Sequence, residues 1–180
     1  MTNHVSLTNV KIESERLIQI PITMEYAQDI FYEFSEDITK YMYPPTPAAK
    51  GETHAFIAQS IGFLNQGTNL QLVVLDKSTG EFLGCSGIHD IDHAAPELGI
   101  WIKKSAHGHG FGMEAVSALI AWSEANLECE YLIYPVDRRN AASRRIPELH
   151  GGIVMKEFKQ RKPNGFELDL VEYWIFRSRS

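Results

Sequence analysis

The sequence predicts a single mixed α/β domain, and three observations predict it. Stretches with strand period and stretches with helix period alternate along the 180 residues. That length is enough for one full hydrophobic core, and no internal repeat or linker divides it. At its centre a strand runs through a glycine-rich turn into a helix, from Glu97 to Glu124: ELGIWIKK, SAHGHGFG, MEAVSALIAWSE.

Residues 1–14 are polar and expected to fray, so the domain is placed at 15–180. Leu17 to Ile22 reads as the first strand. Thr23 can cap a helix with Ala27, Ile30, Phe31 and Phe34 on one face. The run SEDITKYMYPPTP follows, where prolines stop regular structure. Its Tyr41 and Tyr43 either cover the core or line a pocket. Glu52 to Gln66 is a second amphipathic helix, with Ile57, Ile61 and Leu64 inward and Gly67 closing it. Leu70–Leu75 and Glu81–Ile88 form a hairpin around the polar turn DKSTG.

The central strand alternates Leu98, Ile100 and Ile102 against Glu97, Gly99 and Trp101. The central helix lines up Phe111, Ala115, Leu119 and Trp122, with Glu114, Ser117 and Glu124 elsewhere. Beyond it, Tyr131 to Val136 reads as a buried strand and the run VDRRNAASRRIPELHGG as a helix-bearing segment. Gly152–Phe158 and Glu167–Phe176 read as a last hairpin around the basic loop KQRKPNG.

A net charge of −6 without a long basic run argues against nonspecific nucleic-acid binding. Two distant cysteines, Cys85 and Cys129, define neither a disulfide framework nor a zinc site and are expected as free thiols. No stretch has the length of a membrane span and no signal-peptide core opens the chain, so the cytoplasm is the expected compartment, for a monomer or homodimer. His89, Asp90, Asp92 and His93 have ligand chemistry, but they fall in a hairpin connection, and no metal is expected. His107 and His109 would share a face only on a strand, which the intervening glycines oppose.

Gly108, Gly110 and Gly112 carry the chemistry. Glycine lets the backbone turn tightly and lets a ligand approach. The helix that follows presents unpaired N–H donors and the positive end of its dipole, which suits a phosphate. No Lys-Ser or Lys-Thr follows, against a nucleoside-triphosphatase loop, and the spacing G-x-G-x-G is not the dinucleotide fingerprint G-x-G-x-x-G. His107 to Gly112 instead resembles [RQ]-G-x-G-x-[GA], the acyl-CoA pyrophosphate loop of the GNAT superfamily of N-acyltransferases, departing at its first position. The run from Gly99 to Ala115 resembles the branch that includes the ribosomal-protein N-terminal acetyltransferases. Glu15-Arg16-Leu17 is similar to that branch's T-E-R-L opening. Asn140, Ser143, Arg145, Glu148 and Gly151 match a second block, although Leu149 replaces the usual Lys and Pro147 restricts the turn ahead of it. Gly165, Asp169 and Tyr173 match the closing one.

The resemblance spans nearly the whole chain. It implies a twisted mixed central sheet of about seven strands with helices on both faces. It also implies acetyl-CoA as acyl donor, and a primary amine of a peptide or small molecule as acceptor. The pantetheine arm would pair with the peptide groups of Ile100, Trp101 and Ile102 where neighbouring strands splay. The pyrophosphate would meet His107, Gly108, His109, Gly110, Phe111, Gly112 and Met113, with Lys103, Lys104 or Arg145 reaching a further phosphate. Asn140 would orient the donor or acceptor, Ser143 would protonate the leaving thiolate, Glu97 would act as base, and Tyr41 and Tyr43 would line the acceptor pocket. A noncatalytic acyl-CoA-binding module with the same fold is the alternative; retention of both Ser143 and Asn140 favours the enzyme.

Overall fold

The computed structural model describes residues 6–177. Its strands are β1 (Ile12–Glu13), β2 (Leu17–Pro21), β3 (Leu70–Asp76), β4 (Phe82–His89), β5 (Glu97–Ile102), β6 (Tyr131–Asp137), β7 (Ile153–Arg161) and β8 (Glu167–Phe176). The helices are α1 (Ala27–Glu33), α2 (Glu36–Thr39), α3 (Lys50–Gln66), α4 (Phe111–Asn126) and α5 (Ala141–Leu149). The eight strands form one sheet in the order β1-β2-β3-β4-β5-β6-β8-β7. Every neighbouring pair is antiparallel except β5 and β6. The short β1 is the strand beyond the expected seven. It falls within the segment read as frayed, where Leu7, Val10 and Ile12 are buried in the core. No helix among the described residues is long and apolar enough to cross a membrane.

The two faces of β5 enter different cores. Leu98 joins Val116 and Leu119 of α4 and Leu132 of β6, and Ile102 packs with Ala115. On the other face, Trp101 lies with Ile22, Ile30, Ile57 and Phe82, between the sheet and the pair α1–α3. The alternation legible in ELGIWI therefore divides the molecule into an α4 side and an α1–α3 side.

Two elements depart from the sequence reading. Thr23 starts a 3₁₀ turn, Met24–Tyr26, and gives no side-chain cap; α1 follows it. The SEDIT run holds the short helix α2, which burial of Ile38 and Thr39 stabilises despite the nearby prolines. The remaining boundaries fall within a few residues of those expected. Gly67 adopts φ 75° at the end of α3, and the amide of Thr68 reaches back to the Phe63 carbonyl, closing the helix.

The β5–β6 pair fixes the location of the site. It is in register only at Glu97 and Ile133, where the Ile133 amide donates to the Pro96 carbonyl at 2.8 Å. Successive strand residues point their amides to opposite edges, so residue 135 faces β5 as residue 133 does. Residue 135 is proline and has no N–H. The ladder loses the donor that would form its next rung, and no further β5–β6 pair is formed, whereas β6 stays paired with β8 from Tyr131 to Asp137. β5 and β6 accordingly part beyond Glu97, toward the end of β5 that feeds the glycine turn.

Candidate active site

After β5 the chain makes a 3₁₀ turn, Lys104–Ala106, and enters the glycine stretch. Gly108 (φ 81°) and Gly110 (φ 78°) occupy left-handed backbone, a conformation that costs other residues about 1–2 kcal/mol. Gly112 is different: an added Cβ would meet Ile102 and Ile146 at ordinary contact distances of 3.7 and 3.8 Å. Gly110 is the residue before α4, and with no side chain it cannot cap the helix itself. The amides of Gly108 through Met113 meet no backbone carbonyl outside a helix among the described residues. Those of Phe111, Gly112 and Met113 belong to a first helical turn, which leaves its donors free. A row of N–H groups at the positive end of a sixteen-residue helix is the result.

His107 has another role. Its amide donates to the Lys104 carbonyl at 3.2 Å. Its Nε2 lies 2.7 Å from the Ile102 carbonyl and, since a carbonyl only accepts, donates to it. His107 thus ties the turn to the end of β5 and leaves neither group for a phosphate. The same bond uses one of the two lone pairs of the Ile102 carbonyl, which leaves its N–H and the peptide group of Ile100 as the freest partners for an added chain. Lys103 is buried, and its ammonium lies 2.5 Å from Glu81. Lys104 is exposed 3.9 Å from Asp37, and Arg145 is exposed on α5. The side chain of Trp101 packs against Phe34 and Phe82, with ring centroids 5.0 and 5.8 Å away, on the side opposite α4.

Arg16 is a loop residue that motif reading did not assign to the site. Its amide and Nε donate to the two carboxylate oxygens of Glu114, each at 2.7 Å. Its Nη1 donates to the His109 carbonyl at 3.0 Å, and its guanidinium lies 4.6 Å from the centre of the Phe111 ring. Ser14 also donates to Glu114, at 2.6 Å. Burial raises the Glu114 carboxyl, but these hydrogen bonds outweigh it and hold the group below its usual range. The first strand and the first turn of α4 are thereby locked around the glycine turn. The signal was present in the T-E-R-L resemblance, without a partner to give it meaning.

At the mouth of the gap, Asn140 accepts from the Ser143 amide at 3.3 Å and caps α5. Ser143 Oγ lies 2.8 Å from the hydroxyl of Tyr134, a buried side chain of β6. Burial pushes the Tyr134 phenol up to about 12, against a smaller opposing effect of the bond to Ser143. Glu97 stands at the vertex where β5 and β6 separate. Burial, then the charges of Asp90 and Glu172, push its carboxyl up to about 7.

Tyr41 and Tyr43 have unlike surroundings. Tyr41 is half-buried under the Arg139 guanidinium, 5.5 Å from the ring centre, and that guanidinium also covers Phe166 at 4.9 Å. Arg139 is anchored on the fully buried carboxylate of Asp137 at 2.6 Å. Tyr43 is 47% exposed, on the outer rim. Lys162, buried in the β7–β8 loop, donates to the Thr39 carbonyl at 2.7 Å and ties α2 to that loop. Among the described residues, no group of three or more His, Cys, Asp or Glu is placed to hold a metal ion.

Solved structures share this architecture. An acetyltransferase of the GNAT family from Bacillus anthracis is 20% identical, with a TM-score of 0.80 over 94% of this chain and 100% of that one. An acetyltransferase from Salmonella typhimurium that modifies the N-terminal serine of ribosomal protein L7/L12 is 15% identical, with a TM-score of 0.80 over 94% and 100%. The ribosomal L7/L12 α-N-protein acetyltransferase RimL, in complex with coenzyme A, is 15% identical, with a TM-score of 0.82 over 93% and 98%. At these identities the likeness is one of fold. No curated protein matches the chain. The model of the acetyltransferase (GNAT) domain matches residues 16–152, well over half of the sequence, from the arginine that locks the loop to the glycines that close α5. The chain belongs to the GNAT family of acetyltransferase domains.

Proposed function

We propose that the protein acetylates the α-amine of a peptide or protein, with acetyl-CoA as donor. The observation that carries this reading is the opening between β5 and β6, which begins where Pro135 interrupts the ladder and leads toward the row of free amides from Gly108 to Met113. It fits an acyl-CoA in both its chemistries: an amide-bearing arm finds backbone groups without partners, and a pyrophosphate finds a helix N-terminus approachable through glycine.

Acetyl-CoA supplies a thioester, an acyl group already activated toward an amine. The residues of the chain handle position and protons. Ile100 and the N–H of Ile102 hold the arm, with a β5 amide available to the developing oxyanion. Glu97 accepts the proton of the acceptor ammonium, directly or through water. As the C–S bond breaks, Ser143 gives its hydroxyl proton to the departing sulfur and regains one, through solvent, as the new amide nitrogen sheds its second proton; Tyr134 holds Ser143 in place. Asn140 caps α5 and so sets the position of Ser143.

The acceptor assignment rests on the mouth. Arg139 follows the end of β6, stacked against Tyr41 and Phe166 and paired with Asp137, so this cluster offers two aromatic faces and no unpaired negative charge. That suits a peptide and opposes a polycation. A relative of the same fold modifies the N-terminal serine of a ribosomal protein, which is consistent with such an acceptor. Release of free thiol from acetyl-CoA on addition of peptides tests the reading; absence of turnover with every amine, alongside tight CoA binding, would make the protein a noncatalytic acyl-CoA-binding module.

A further inference from the structure

His89, the last residue of β4, lies outside the machinery just described, yet its ring occupies the face of the sheet on which Glu97 stands. In the antiparallel β4–β5 pair, His89 is the direct partner of Glu97, and Gly87 is the direct partner of Gly99. Direct partners project to the same face, with Cβ atoms about 5 Å apart. The imidazole leans over the two glycines. A Cβ added at Gly87 or at Gly99 would come within 3.2 Å of His89 Nε2. The ring therefore rests on a floor of two glycines, where a side chain at either position would crowd it by a few tenths of an ångström.

The proton on that ring can be located. Asn69 Oδ1 accepts from the Asp90 amide at 3.1 Å, so its amide nitrogen is the end turned to His89. That nitrogen, Nδ2, lies 3.3 Å from His89 Nδ1. An amide NH₂ only donates, so Nδ1 accepts, and the neutral imidazole carries its hydrogen on Nε2. Burial favours this neutral form, against the charge of Asp90. With Nδ1 engaged and Nε2 protonated, the ring has no lone pair for an ammonium and is not the base. It has one N–H donor, over Gly99, with no protein partner among the described residues.

We propose that His89 Nε2–H binds the carbonyl oxygen next to the acceptor amine, making His89 the residue that distinguishes an α-aminoacyl end from a simple alkylamine. The inference rests on the peptide reading above. In a peptide N-terminus the amine nitrogen and the first carbonyl oxygen are about 3 Å apart, by the bond lengths of the backbone. A carboxylate and an N–H donor on adjacent strands, projecting from partnered positions, match that pair: Glu97 takes the ammonium end and His89 the carbonyl end. An acceptor without the carbonyl leaves the donor unanswered, which is how a polar site discriminates against an analogue lacking a hydrogen-bonding group.

The test compares wild type with His89→Phe, which keeps a ring over the glycines and removes the donor, and with His89→Gln, which restores an N–H. Each is assayed with an alanine-starting peptide and with sec-butylamine, and CoA affinity is measured by calorimetry as the check on fold. The expected result is a loss of about 10- to 100-fold in kcat/KM for the peptide in His89→Phe. CoA affinity and the alkylamine rate should stay within about two-fold of wild type, and His89→Gln should recover part of the loss. Equal losses on both acceptors, or no recovery in His89→Gln, would make the ring a packing element and overturn the inference. A wild-type enzyme active on peptides with an unimpaired His89→Phe would overturn the inference alone. A wild-type protein inert toward all peptide amines would overturn the peptide reading and the inference with it.

Discussion

The phenol oxygen of Tyr134 lies 2.8 Å from the hydroxyl oxygen of Ser143. The phenol, pushed up to about 12, stays un-ionised at neutral pH. Either hydroxyl can donate in this pair; the proposed acid role of Ser143 needs the phenol, the stronger donor, to give its hydrogen to Ser143, so that the serine hydrogen turns outward. Removing the phenol oxygen in Tyr134→Phe frees Ser143 to rotate. That variant should lose about 10-fold in kcat with little change in KM for acetyl-CoA, and Ser143→Ala should lose at least as much. The double variant should be no worse than Ser143→Ala. Steady-state kinetics on the four proteins check this; additive losses would separate the two residues.

Glu97 makes the activity and the stability depend on pH in opposite senses. Its carboxyl is pushed from 4.5 to about 7 by burial first, then by Asp90 and Glu172. A base must be ionised, so kcat/KM should rise as pH climbs through about 7. Peptide α-amines titrate at about 7.7–8.0 and add a second limb. Glu97→Gln should leave only the second. For stability, the folded protein holds this proton to higher pH than the unfolded chain does. Ionisation in the folded state costs free energy, so stability falls as pH rises from about 4.5 to about 7. Glu97→Gln should therefore be the more stable protein at pH 8, by up to roughly 3 kcal/mol, with the advantage gone below pH 4.5. Denaturant melts at the two pH values check the sign.

Much of this architecture was legible in the chain because hydrophobic period and turn chemistry are local. The faces of ELGIWI, the C-terminal Gly67 and the glycine turn all follow from near neighbours. Partnerships across the sheet were not legible. Arg16 and Glu114 are 98 positions apart, and Gln19 reaches the Ala115 carbonyl over a similar span. No spacing rule joins such residues. Pro135 was a missed signal: a proline inside a strand read as buried argues for an interrupted ladder, and here the interruption opens the site. The resemblance puts His107 in the pyrophosphate loop and offers Lys103, alongside Lys104 and Arg145, for a further phosphate. The fold engages His107 with the Ile102 carbonyl and Lys103 with Glu81, because a buried polar group is stable only with a partner.

The glycine turn and its arginine lock should separate by experiment. Gly110→Ala places a Cβ on backbone with φ 78° and narrows the approach to the α4 amides. It should cost about 1–2 kcal/mol of stability and lower CoA affinity at least 10-fold. Arg16→Met keeps the length of the side chain and removes its two side-chain hydrogen bonds, to Glu114 and to the His109 carbonyl, leaving the main-chain one. It should lower CoA affinity about 3- to 10-fold through a looser turn, with a fall in melting temperature of about 2–4 °C per kcal/mol lost. Calorimetry with CoA and thermal melts measure both. Unchanged CoA affinity in a folded Gly110→Ala would remove the turn from the donor site.

The acceptor remains the sharpest test of the whole reading. Segment 35–50 contributes Glu36 and Asp37 but also Lys40 and Lys50. Beyond the end of β6, Arg139 lies against Tyr41 and Phe166, with its charge paired to Asp137. A site for spermidine or an aminoglycoside needs a cleft of negative potential, because such a field concentrates cations. The acidic balance of the chain is spread over its surface, where salt screens it within about 8–10 Å. An aromatic pair with a stacked guanidinium instead accommodates peptide groups and apolar side chains. Peptides starting with Ser, Ala or Met should therefore be acetylated faster than spermidine or an aminoglycoside in a side-by-side thiol-release assay. Arg139→Gln should narrow that preference while leaving KM for acetyl-CoA within about two-fold. Faster turnover of the polycations by the wild-type enzyme would overturn the peptide assignment and show that Arg139 does not govern which amine approaches Glu97.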